Sequence, residues 1–100
     1  MGHPGVACLA LIMAMSCTSP PPPDATGEEI YVEVCSSCHG VDLSGGIAPP
    51  VGPGSNSATQ SDEFLELTIT RGRGRMPAFG SVLSENQVDR LVEFLRERQG

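Results

Sequence analysis

The sequence predicts an all-α domain, three helices wrapped by loops, and three observations predict it. Two capping boxes stand in front of apolar stripes of helical period, Thr26 to Glu29 and Ser84 to Gln87. A third start signal, Ser61 followed by Asp62 and Glu63, precedes Phe64-Leu65 and Thr68-Ile69. No stretch shows the alternation of a half-buried strand, and the longest connection, Gly45 to Ser57, is rich in Gly, Pro and Ser.

The N-terminal residues are set aside before the fold is built. Val6 to Met15 is an apolar run, shorter than the roughly 20 residues that a spanning helix needs. It ends in Ala14-Met15-Ser16-Cys17, with small residues where a signal peptidase reads. Residues 1–16 are therefore expected to be a signal peptide. The junction is similar to a bacterial lipobox, which implies lipidation of Cys17; a plain secretory signal cut at the same bond is the alternative. Both readings place the protein outside the cytoplasm, on the periplasmic or cell-surface side. Residues 17–23 include four consecutive prolines, Pro20 to Pro23, a semi-rigid extended spacer suited to a tether. The domain proper is expected over 24–100.

Within it the first helix begins at Thr26, with acids in its first turn and Ile30, Tyr31 and Val34 as its stripe. The second runs from Ser61 to a stop at Gly72. In the third, Val88, Leu91, Val92 and Leu95 follow the i, i+3, i+4, i+7 rule, and Leu83 with Val88 forms a hydrophobic staple. Four aromatics and no Trp in the chain leave a thin core. A domain this small needs a staple such as a disulfide or bound group.

Charge narrows the range of partners. Eight acids and no base lie between residues 24 and 70, all six Arg lie from Arg71 onward, and Lys is absent. A formal net charge of -6 argues against nucleic acid, whose phosphates need neutralising. It argues equally against charge-driven binding to an anionic membrane.

The chemistry is concentrated at Cys35-Ser36-Ser37-Cys38-His39. Two thiols three residues apart on a helical turn match the two vinyl groups of a haem, and the next residue brings an imidazole beneath the ring. Three other readings exist: a redox C-x-x-C pair, a structural zinc site and an ordinary disulfide. The first wants a βαβ context, the second four N/S ligands, and the third leaves His39 unexplained. The second axial ligand to iron is Met76. Once residues 1–16 are removed it is the only methionine, as His39 is the only histidine. Its thioether is a soft donor, Pro77 stiffens its loop, and Gly72 and Gly74 let that backbone approach a flat macrocycle. With both ligands bound the iron has no open position, so the function is single-electron transfer. No small-molecule substrate and no catalytic residue are expected.

From about Asp24 to Gln99 the chain resembles the monohaem class I cytochromes c of bacteria. Gly27, Tyr31, Cys35, Cys38, His39 and Gly40 match the first part of that pattern. Ile69, Gly72, Met76, Pro77 and Phe79 match the second, and Leu91 and Phe94 the closing helix. The resemblance implies three to four helices around one covalently bound haem c, with its iron held by His39 and Met76. It implies that the first and last helices cross where Gly27 meets an aromatic. It further implies that a proline carbonyl, Pro49 or its neighbour Pro50, accepts the His39 Nδ1–H. Pro49 is the expected acceptor. Redox proteins, donor and acceptor, are the implied partners, together with the membrane through the lipid. The alternative role is that of a haem c subunit in a larger dehydrogenase or terminal oxidase complex. Arg71, Arg73 and Arg75 have two readings, partners of the haem propionates or a solvated basic strip.

Overall fold

The computed structural model describes residues 19–100. The signal segment 1–16 and Cys17 lie outside the described residues. The expected all-α architecture is present, and each helix begins where its cap lies.

Helix α1 (Gly27–Ile30) has the complete capping box at Thr26. Its hydroxyl accepts from the Glu29 N–H at 3.1 Å, and Glu29 accepts from the Thr26 N–H at 2.8 Å. The helix continues without a break into a π-helical turn (Tyr31–Cys35) and one further α turn, α2 (Ser36–His39). The π turn adds a residue to the helical ring, and such insertions are frequent at functional sites. Ile30 and Tyr31 are both buried along this stretch, while Val34 and Cys35 lie at the core margin.

After a loop and a single 3₁₀ turn (Asn56–Thr59) comes α3 (Asp62–Arg71), capped by the Ser61 hydroxyl. It buries Leu65 and Ile69. Helix α4 (Glu85–Gln99) has the second full capping box, at Ser84 and Gln87. Val88, Leu91, Val92, Phe94 and Leu95 are buried along it, and Leu83 just ahead of its cap is buried too.

The first helical stretch and α3 both pack on α4. A Cβ added at Gly27 would overlap the Arg90 carbonyl oxygen and come within 2.8 Å of Phe94 Cβ. Only a glycine lets the two helix backbones approach this closely. Tyr31 and Phe94 complete the crossing, with ring centroids 5.5 Å apart and planes tilted by 42°.

The proline segment is partly docked. Pro21 is buried, and α4 holds the segment beside it with two side chains. Gln87 Nε2 donates to the Pro22 carbonyl at 3.0 Å, while Arg90 donates to Pro23 at 2.8 Å and Ala25 at 3.0 Å. The Pro22 carbonyl also accepts from the Ala25 N–H at 3.0 Å, while Pro23, among the described residues, takes its partner from α4 alone. Side-chain donors from α4 thus pin the segment to the helix. The far end of α4 makes a second clamp. Arg96 bonds Asp62 at 2.7 Å and the Gln60 carbonyl, and Gln99 donates to Val51 O at 3.0 Å.

Candidate haem site

Residues 35–39 form the last helical turns before Gly40, where the helix ends with φ +89°. Cys35 is half-buried and Cys38 exposed, and neither is in a disulfide. Burial, with the nearby Cys38 charge adding to it, pushes the Cys35 thiol up to about 12. A redox dithiol needs the opposite, a thiolate favoured by its surroundings. Among the described residues no three His, Cys, Asp or Glu side chains gather as a metal-binding group.

The loop after His39 folds back on it. Gly45 N–H donates to His39 O at 2.8 Å, and Ala48 N–H to Cys38 O at 2.9 Å. Leu43 anchors the wrap. It is 1% exposed, its carbonyl accepts from both Val51 and Gly52, and its φ is +66°. That conformation costs a non-glycine residue about 1–2 kcal/mol, tolerated where burial and hydrogen bonds over-determine it. Asp42 supports the same turn by accepting from Ser44 N–H at 3.1 Å and Ser44 Oγ at 2.6 Å. These bonds, the side-chain one foremost, hold its carboxyl below the usual range.

The wrap brings the Pro49 carbonyl to 2.8 Å from His39 Nδ1. Of the two prolines, the bond is made by Pro49. A carbonyl can only accept, so Nδ1 carries the proton and Nε2 is the nitrogen with a free lone pair.

Met76 is half-buried and packs on the core margin. It sits on a tight turn closed by Arg73 N–H to Met76 O at 3.1 Å and Met76 N–H to Arg73 O at 2.9 Å. The segment after it returns to α3. Phe79 N–H donates to Ile69 O at 2.9 Å and Gly80 N–H to Thr70 O at 3.0 Å, capping carbonyls that a helix end leaves unpaired. Gly72, at φ +76°, makes the reversal: a Cβ there would come within 2.6 Å of Met76 O. Arg73 lays its guanidinium over the Phe64 ring at 5.1 Å. The ion pair found among the described residues, Arg96 with Asp62, involves none of Arg71, Arg73 and Arg75.

The residues present fit a flat apolar macrocycle bearing iron. Two uncombined thiols and an imidazole with Nε2 free share one helical turn. A thioether lies on a separate turn, and Val51, Phe64, Phe79 and Val82 stand half-buried around the same core. Two contributions escape the sequence reading: the strain at Leu43, and the hydroxyl of Tyr31, whose aromatic ring alone matches the family pattern and which donates to Gly40 O at 2.7 Å. Burial first, then Cys35 and Asp42, push the Tyr31 phenol up to about 12, so it stays a donor.

Fold and donor set together define a c-type cytochrome, an electron carrier rather than an enzyme, whose cofactor is a covalently bound haem c. The chain belongs to the family described as cytochrome c oxidase, cbb3-type, subunit III, whose model matches residues 22–95. It is 33% identical to cytochrome c55X of Pseudomonas aeruginosa, over 85% of this chain and 82% of that one. It is 34% identical to the menaquinol:cytochrome c reductase cytochrome c subunit of Bacillus subtilis, over 74% of this chain and 28% of the relative. The solved c-type cytochrome NirC superposes with a TM-score of 0.63 at 32% identity, covering 71% of this chain and 85% of the other.

Proposed function

We propose that the chain passes single electrons through a haem attached at Cys35 and Cys38, with His39 and Met76 as axial ligands, in an exported and membrane-tethered redox chain. The observation that carries this reading is the 2.8 Å bond from His39 Nδ1 to Pro49 O. It fixes the tautomer, leaves Nε2 as the ligating nitrogen and increases ligand basicity. When bound, the haem supplies a one-electron iron couple, and His/Met ligation raises its potential. The chain's residues do the rest. The two cysteines would hold the group irreversibly, the Arg73–Met76 turn would present the thioether, and Phe64 and Phe79 would keep water from that side.

Export and tethering are supported by the apolar run Val6 to Met15 and by Cys17 at its end. The domain is taken to occupy 24–100, after the signal segment 1–16 and the Pro-rich 17–23. No described helix is long and apolar enough to cross a membrane. The proposed attachment is a lipid on Cys17, on the strength of the junction Ala14-Met15-Ser16-Cys17. Redox proteins are the partners, one donating and one accepting.

The attachment test is direct. In cells with haem-attachment machinery, haem should stay with the polypeptide through denaturing electrophoresis and acid–acetone extraction. Clean extraction of the haem would refute the assignment. A second reading, a haem subunit resident in a larger oxidoreductase, is favoured by the family description and by the Bacillus reductase subunit. Native purification separates the two: a shuttle runs alone, and a subunit co-migrates with a complex.

A further inference from the structure

One polar group beside the site takes no part in attachment or ligation, the Tyr31 hydroxyl. Packing accounts for the ring, which is 1% exposed and stacks on Phe94 of α4. Packing does not account for the oxygen, because a buried hydroxyl is costly unless paired. Its partner is the carbonyl of Gly40, the residue directly after His39, at 2.7 Å. Three successive carbonyls, of Cys38, His39 and Gly40, accept from the wrapping loop, through Ala48, Gly45 and Leu43 at 2.9, 2.8 and 3.1 Å. Gly40 is the one of the three that is also tied back to the first helical stretch. The same loop delivers the Pro49 carbonyl to His39 Nδ1.

We propose that the Tyr31 hydroxyl is a positioning group for His39: by holding the Gly40 peptide against the helix crossing, it fixes the loop that presents Pro49 O to the imidazole. The inference rests on His39 being the iron ligand. Its consequence has a sign. The Nδ1–H bond makes the imidazole a stronger donor and so favours ferric iron. A looser loop weakens that bond and raises the potential.

Tyr31→Phe keeps the stacked ring and deletes only the tie. In the holoprotein this variant should retain covalent haem and raise the reduction potential. It should also shift the His39 ring resonances of the ferric form and speed amide exchange at Leu43, Gly45 and Ala48. Phe94→Leu is the control. It removes the stack and spares the hydroxyl, so it should lower thermal stability with the potential unchanged. A Tyr31→Phe protein with lowered melting temperature but wild-type potential and wild-type exchange at those three amides would overturn the proposal and leave the hydroxyl a packing feature. The ligand reading fails by a different sign. If the His39 ring protons of the ferric wild type show no hyperfine shift, His39 is not on the iron, and the positioning role falls with it.

Discussion

At the scale of single residues, Met76 separates a closed electron-transfer site from an open one. It is the one thioether downstream of residue 16, and its turn is fixed by two hydrogen bonds to Arg73 and by the return of Phe79 and Gly80 to α3. Met76→Ala is expected to keep covalent haem and open the sixth position to water or an added ligand. The potential should fall, because a thioether favours ferrous iron more than water does. The long-wavelength sulfur-to-iron band should vanish, and carbon monoxide should bind the reduced form. A wild-type spectrum and potential in that variant would contradict the axial assignment. Tyr31 supplies a pH effect. Its phenol is raised from 10.0 to about 12, chiefly by burial. The folded state therefore holds that proton more tightly than the unfolded chain does. Its contribution to stability is full below about pH 10 and is lost as pH rises toward about 12. Denaturant titrations across that window should show stability declining in the wild type, with a shallower decline in Tyr31→Phe.

At the scale of elements, the crossing of the first helical stretch on α4 should dominate stability, because the core has few large side chains. Phe94→Ala should cost about 3–5 kcal/mol, measured by denaturant unfolding of the holoprotein. A loss under about 1 kcal/mol would lie well outside that range for a buried aromatic and would show that the crossing contributes little. Gly27→Leu should be worse, since even a Cβ overlaps the Arg90 carbonyl. These elements were legible in the sequence for a physical reason. A capping box and an apolar stripe are local signals, written in residues three or four apart, and all three starts stand at Thr26, Ser61 and Ser84 as expected. The Gly27–Phe94 meeting was legible through the family pattern. The π turn at Tyr31–Cys35 was not, because it exchanges one hydrogen-bond register for another without changing composition. Leu43 at positive φ was not either: its strain is supported by Val51, Gly52 and Gly40, distant partners that no local pattern encodes. The same holds for Arg90 and Gln99, which look like solvated polar positions and instead hold carbonyls at Pro23, Ala25 and Val51, and for the reach of the capping-box residue Gln87 to Pro22.

At the scale of the whole molecule, the docked prolines bear on how the domain would sit at a membrane. The stretch Pro20 to Pro23 is a stiff spacer by composition. Yet Pro21 is buried, and the carbonyls of Pro22 and Pro23 are held by α4. If Cys17 bears a lipid, at most four residue steps separate it from the first docked residue, about 13–14 Å fully extended. A haem domain on so short a link would stay close to the bilayer surface, and a partner within the membrane would meet it from a restricted set of directions. The acids between residues 24 and 70 would oppose close approach to anionic headgroups, so attachment should depend on the lipid. Cys17→Ser is accordingly expected to move the protein to the soluble fraction or to stop its processing, and high salt should leave the wild type in the membrane pellet. Fractionation and the mass of the N-terminal peptide check both. Release of the wild type by salt would indicate that a protein partner holds it there, and a Cys17→Ser variant still found in the membrane would indicate the same.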